Sequence, residues 1–279
     1  MKQLDRFLFR FRTPLQLLSI ALTVAMGIGL TYLDLSPFLT LILAVFVEVT
    51  LYIVIATASA RLAGRAAKIL NEECDPEPLL DETAYLLSHF RKGNPIRYSF
   101  MIDRSTALIE SGRREEAYQL LKSIPYQTFL PQYLMAYAIY HHNLYCLADR
   151  LGKTDEAEYH YFEARRVFPS VKIPAQRDML LRSFGIGDIC YALRHGDYKY
   201  AIDDLLKNPG GDRRGRVTAA LLLARAYLMA GDEAAARDRL LYVIREGNKL
   251  VDVQDAKALL STLPAAGEGA SEMSDRVEL

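Results

Sequence analysis

An all-α protein, built as a two-helix transmembrane hairpin followed by an α-solenoid of about four helical hairpins, is the fold this sequence predicts. Three observations carry that expectation. Two uncharged apolar runs stand back to back near the start, residues 13–33 and 35–47, and the second resumes after Glu48 to reach Ala60. From Arg61 onward the chain reads as helical repeats, and within them a glycine followed five residues later by an alanine recurs at Gly112, Gly152, Gly196 and Gly231. Each apolar run is long enough to cross a bilayer, since about 20 residues at a rise of about 1.5 Å each cover the hydrocarbon core.

Composition sets the outer bounds. The 279 residues are 51% hydrophobic and carry 34 basic and 34 acidic side chains. That length accommodates a membrane hairpin and one further domain of about 190 residues, large enough to bury a real core. Zero net charge argues against broad nucleic-acid binding, so no nucleic-acid partner is expected. Cys74, Cys146 and Cys190 lie far apart without a CxxC pair, which fits a reducing compartment and thiols that act as small buried hydrophobes.

The first twelve residues form a basic amphipathic flank. Leu4, Phe7, Leu8 and Phe11 follow helical spacing, with Lys2, Arg6 and Arg10 between them. Two readings stand side by side: a helix in the headgroup layer with its basic residues toward anionic lipid, or a flank that only sets topology. The spans follow at 13–33 and 36–60, each with a hydroxyl residue before a proline at its start (Thr13-Pro14, Ser36-Pro37). Only a turn around Asp34 joins them, which makes the pair antiparallel. Basic residues lie before the first span and, as Arg61, Arg65 and Lys68, after the second, so the positive-inside rule places both termini in the cytoplasm. A cleavable signal peptide is the competing reading, but its apolar core is shorter and does not lead into a second span. Glu48 is the one charge inside a span, and Thr23 lies at a similar depth on the other helix, placed to hydrogen-bond with it. That carboxylate is either structural within the hairpin or a homodimer, or functional as a proton or ion site or a contact with a transmembrane partner.

Residues 61–95 read as a stalk and linker helices, with a break at Asp75-Pro76-Glu77-Pro78. The repeats occupy 96–263. Each marked glycine ends one helix in the left-handed conformation, and the next helix starts at once. Ala117, Ala157, Ala201 and Ala236 then let paired helices approach closely, and Leu121, Tyr161, Leu205 and Leu240 follow four residues later on the same face. Asn94-Pro95, Pro131 and Pro174 open the first helices of units, residues 251–263 supply a capping helix, and the tail 264–279 is small, polar and expected to be disordered.

This pattern resembles the tetratricopeptide repeat. The last unit matches best, with Leu223-Ala224, Tyr227, Gly231, Ala236 and Leu240, and the second ends with Ala164 and Pro169 in place. Gly-to-Gly spacings of 40, 44 and 35 depart from the family's period of about 34. The resemblance implies a superhelix whose inner groove holds a protein or peptide. The groove candidates carried over are Ser99, Thr106 and Glu110 from unit one, and His142, Asp149 and Arg150 from unit two. Ser183 and Arg194 come from unit three, and Arg225 from unit four. Arg150, Arg194 and Arg225 form a basic strip suited to a carboxylate or acidic segment, unless each pairs with a neighbouring acid.

Catalytic signatures are missing from the reading. Residues 210–217 have the glycine spacing of a phosphate loop, but Arg216 and Val217 replace its lysine and hydroxyl, and a helix precedes it where a strand is needed. His141 and His142 are adjacent and cannot share a metal, and His160 with Glu156 and Glu163 reads as surface ion pairing. The ten tyrosines from Tyr126 to Tyr200 read first as packing between hairpins and second as partner anchors. The expectation is a non-enzymatic scaffold or adaptor without cofactor or metal, anchored in lipid by residues 1–60 at the cytoplasmic face of a bacterial inner membrane. The alternative is a subunit of a transport or secretion complex that makes its contact through Glu48. Homo-oligomerisation is left open.

Overall fold

Helix-forming periodicity runs almost without interruption along this chain, and the computed structural model, which describes residues 2–31, 36–91, 93–129 and 133–264, is all-helical over them, with no strand. The turn around Asp34, Pro131 and the tail beyond Pro264 lie outside the described residues. Helix α1 (Lys2–Arg10) leads into α2 (Arg12–Thr31), then α3 (Pro37–Ala56) and α4 (Ala58–Glu73). The remainder is α5 (Glu77–His89), α6 (Pro95–Glu110), α7 (Arg114–Lys122), α8 (Leu134–Arg150), α9 (Thr154–Arg166), α10 (Pro174–Arg194), α11 (Tyr198–Lys207), α12 (Arg213–Ala230), α13 (Glu233–Glu246) and α14 (Val251–Ser261). Short 3-10 turns, Tyr126–Phe129 and Phe168–Ser170, precede α8 and α10.

α2 and α3 pack alongside one another and turn apolar side chains outward, among them Leu17 and Leu22 on α2 and Phe38 and Phe46 on α3. Leu41–Glu73, which runs from α3 through Thr57 into α4, has a mean hydropathy of 2.4 at its most apolar and is long and apolar enough to cross a membrane. A second span among the described residues arises only if α1 and Arg12–Gly29, bent by 75°, count as one broken segment. Ser36 makes no side-chain cap to α3, and α2 starts at Arg12 rather than beyond Thr13, because α1 already feeds the chain into it.

The bend at Phe11 gives α1 two faces. Phe9 is buried against Leu62, Leu86 and Phe100, while Leu4, Phe7 and Phe11 are exposed. The basic residues turn toward the rest of the chain. Lys2 and Arg6 both reach Glu82 of α5, at 2.9 and 3.0 Å, and that carboxylate is only 1% exposed. Asp5 takes Arg61 and Arg65 of α4 at 2.8 and 2.6 Å. Arg12 lies between the Phe9 and Phe90 rings and donates to the His89 carbonyl at 3.0 Å. Burial raises the Glu82 pKa, but bonds from Arg6 and Lys2 outweigh it and hold the carboxyl below its ordinary value.

Four helical hairpins follow: α6–α7, α8–α9, α10–α11 and α12–α13. Each first helix ends at a glycine with positive φ (Gly112 81°, Gly152 71°, Gly196 82°, Gly231 78°). The residue after it bonds back to the helix in the Schellman manner: Arg113 to Leu108, Lys153 to Ala148, Asp197 to Ala192 and Asp232 to Tyr227, all at 2.8–2.9 Å. Ala117, Ala157, Ala201 and Ala236 are fully buried at the crossings, and Leu121, Leu205 and Leu240 lie buried one turn later. One core joins α4 to α10 with α12 to α14, from Ala66 and Leu70 of α4 through Leu108, Leu144 and Leu180 to Leu221, Leu240 and Ala256, while Ala201 and Leu205 of α11 pack with Ile189 and Leu223 in a second cluster. Thus α4 and α5 are walls of that core. The far end of the chain also returns to α4: Lys249 N–H donates to the Cys74 carbonyl at 3.2 Å, and Lys249 Nζ meets Asp75 at 2.6 Å.

The crossing alanines set the hairpin spacing, so enlarging one forces its helices apart. Ala236→Leu is expected to cost about 1–3 kcal/mol, read as a fall in the thermal midpoint of the full chain. Ala234→Leu, at an exposed position of the same helix, leaves the midpoint nearly unchanged.

Candidate functional site

Four of the carried-over positions, Glu110, Asp149, Arg150 and Arg194, lie at the C-terminal ends of α6, α8 and α10, and Glu110 and Arg150 there meet α12 and α14. Glu110 accepts from Arg214 at 2.9 Å. Arg150 lies 3.6 Å from Asp252 of α14, whose side chain is 0% exposed and accepts a 3.0 Å bond from Thr218 on its other oxygen. Arg194 pairs with Asp149 and lies 5.7 Å over the Tyr145 ring. Arg225 reaches Asp255 at 3.4 Å, and Arg114 reaches the same carboxylate at 3.0 Å. The three arginines of the basic strip are therefore each paired with an acid of this chain. Burial pushes the Glu110 carboxyl up, against the pull of Arg214.

The remaining positions do less. Thr106 accepts from Asn143 at 3.1 Å, Ser183 donates to the Met179 carbonyl at 3.1 Å, and Ser99 is half-buried. His142 packs on Phe184, and burial lowers its pKa to about 4. Sequence reasoning passed over Asp103, whose carboxyl burial pushes up to about 6. Its signal was available: Asp103 is four residues after Ser99 and three before Thr106, on one helix face. In the apolar hairpin, Ser19 and Thr23 donate to the same oxygen of Glu48 at 2.6 and 2.7 Å. Ser19, one turn before Thr23, had not been singled out.

A second arrangement was only partly legible. A cleft of about 610 Å³ opens between the segment following α7 and helix α9, lined by Lys122, Tyr126, Gln127, Tyr140, Glu156, Tyr159 and His160. Tyr126 stacks on Tyr140 at 5.4 Å. Glu156 accepts from Lys122 at 2.9 Å and from the Tyr118 hydroxyl at 2.7 Å. Burial raises its pKa, and these two donors more than reverse that. His160 is 5% exposed, so it belongs to the interior and not to a surface ion pair. Its Nδ1 meets Nδ1 of His141 at 2.7 Å, and its Nε2 faces Glu156 at 3.6 Å. Two facing imidazole nitrogens share one hydrogen bond only if one donates and the other accepts. With His160 Nε2–H toward Glu156, His141 Nδ1–H is the donor, and the buried His141 Nε2 is then a lone pair without a partner. Burial lowers both pKa values, His141 to about 3 and His160 to about 4.

The cleft can stack on, hydrogen-bond to and charge-pair with a guest. Tyr159 and, on the outer face of α9, Phe162 are 51% and 57% exposed. Among the described residues no group of three His, Cys, Asp or Glu could hold a metal ion. Burial pushes the Cys146 thiol up to about 12, which leaves it protonated and unreactive at neutral pH.

Two outcomes follow from this geometry. Asp252→Leu removes the acid paired with Arg150 and leaves it only the more distant attraction of Glu110, so it is expected to destabilise the chain by about 3 kcal/mol, and adding Arg150→Met restores most of the lost thermal stability. The histidines give a pH dependence. Folded His141 and His160 bind protons more weakly than the unfolded chain, so their contribution is full above about pH 6.5 and falls as pH drops toward 4. Thermal midpoints measured across that window decline with acid, and His141→Gln/His160→Gln flattens the slope.

Compared with known proteins, the chain matches no protein-family model, no curated protein and no solved structure.

Proposed function

We propose that this chain is a membrane-anchored scaffold or adaptor whose helical hairpins form a tetratricopeptide-like α-solenoid at the cytoplasmic face of a bacterial membrane. The observation that carries the proposal is the fourfold recurrence of one joint, a left-handed glycine with a Schellman bond and a buried alanine five residues on, in a chain joined without a linker to two outward-apolar helices. In this reading α2 and α3 are the two spans. Lys2, Arg6, Arg12, Arg61 and Arg65 gather at one end of that pair, which is the arrangement the positive-inside rule associates with the cytoplasm. The 75° bend would lay α1 in the headgroup layer with Leu4, Phe7 and Phe11 toward lipid.

Partner capture falls to the aromatic cleft rather than to the arginine strip. Arg150, Arg194 and Arg225 already hold acids of this chain, whereas the cleft has volume and exposed aromatic surface, the features of binding anchors. A protein or peptide segment with apolar side chains suits these walls. The second reading, a subunit of a membrane complex that makes its contact through α2 and α3, rests on Glu48 and its hydroxyl donors.

In-cell cross-linking followed by mass spectrometry tests the cleft. The full chain is expected to capture a discrete set of proteins, and Gln127→Ala/Tyr159→Ala to lower their yield several-fold without loss of fold, both residues being exposed and on the cleft wall. Equal yields would remove the cleft as the docking surface. Recovery of the chain alone would remove the scaffold reading.

A further inference from the structure

The polar groups of α2 and α3 form an unfinished hydrogen-bond network. A pocket of about 280 Å³ opens between the two helices, with Gln16, Ser19, Ile20, Glu48 and Tyr52 on its walls. Ser19 and Thr23 both donate to Oε1 of Glu48, at 2.6 and 2.7 Å. Its Oε2 receives no hydrogen bond from the described residues, nor does the Gln16 carboxamide or the Tyr52 hydroxyl make one. Tyr52 is 60% exposed. Glu48, near the middle of α3, has no water to turn to in hydrocarbon, and a polar group left unmatched there is strongly disfavoured.

One face thus carries an unmatched acceptor, Glu48 Oε2, beside unmatched donors, the Gln16 amide and the Tyr52 hydroxyl. A twofold interface needs that kind of self-complementary patch, since each copy must supply what the other lacks. Lipid tails offer neither donor nor acceptor, and polar side chains within a bilayer turn toward other helices. We propose that the α2–α3 face carrying Gln16, Ile20, Glu48 and Tyr52 is a homodimer interface, in which Tyr52 and Gln16 of a second copy complete the bonding of Glu48. This rests on the reading of α2 and α3 as membrane spans and names the partner of that face as the same chain.

The test places a photo-cross-linking residue at Ile20, at Tyr52 or, on the other side of α2, at Leu22, in the full chain within native membranes. Two differently tagged copies are expressed together so that a homodimer is identified by its tags. The homodimer adduct is expected at positions 20 and 52 at about fivefold or more over position 22. Glu48→Leu should lower the adduct at position 20 by a similar factor. Glu48→Gln, which still accepts from Ser19 and Thr23 but places an N–H₂ donor where Oε2 accepts, should lower it as well, by less than Glu48→Leu does. Equal labelling at 20 and 22, adducts with another protein or with lipid alone, or indifference to Glu48→Leu would overturn the interface. Alkaline carbonate washing separates the two levels. A chain that washes off the membrane removes the spans and the interface together, while one that stays without a homodimer adduct removes only the interface.

Discussion

A carboxylate with no exposure to water needs opposite charge beside it, and Asp252, with Arg150 at 3.6 Å and one hydrogen bond from Thr218, is such a group. Its pairing with Arg150 and Thr218 fixes α14 against α8 and α12, and one turn on, Asp255 fixes it against Arg114 and Arg225. Much else depends on that lock. Glu110 and Arg150, at the ends of α6 and α8, meet Arg214 of α12 and Asp252 of α14, while Arg194 at the end of α10 is held by Asp149. The same closure brings Lys249 back to Asp75 and Cys74, so the last hairpin braces the helix that leaves the apolar pair. Ion pairs of this kind hold the helices together, and in the proposed scaffold reading they leave the tyrosine-lined cleft as the surface for a guest.

The other junction is where the apolar helices meet the helical body. There the basic residues answer two physical demands at once. In the proposed membrane reading, positive charge at the ends of α1–α2 and α3–α4 would suit a cytoplasmic boundary, and the same guanidinium groups grip Glu82, Asp5 and the His89 carbonyl. With charged contacts on one side of α1 and Phe9 wedged beneath it, the helix body cannot swing freely about Phe11. If the chain is the membrane-anchored scaffold proposed above, a domain held at a set angle to its anchor would offer its cleft in one orientation.

The cleft combines two kinds of order. Its aromatic walls are pinned by stacking, and beneath them runs a polar chain from Lys122 and Tyr118 through Glu156 to His160 and His141. Neutral imidazoles serve that chain because each can donate at one nitrogen and accept at the other. Protonation would set two donors face to face at 2.7 Å, which is why burial and proximity both oppose it.

The joints of the repeat were legible in the sequence because they depend on local rules. Only glycine enters the left-handed conformation at little cost, and only a small residue suits a close helix crossing, so Gly231 and Ala236 declare themselves without tertiary knowledge. The all-helical class and the apolar stretch ending in α4 were readable for the same reason, as periodicity and run length. Thr23 and Glu48 could be paired by depth along two antiparallel helices. What the sequence left open was which distant charges meet. Arg150 as a free groove residue and Arg150 as the mate of Asp252 have the same local sequence, and only the return of α14 across the array chooses between them. His160 likewise sits among acids on its own helix, and it is the packing of α9 on α8 that turns it inward to His141. Local backbone preferences act over one or two turns, whereas ion pairing and burial are decided by residues a hundred positions apart, and those are set only once the chain has folded back on itself.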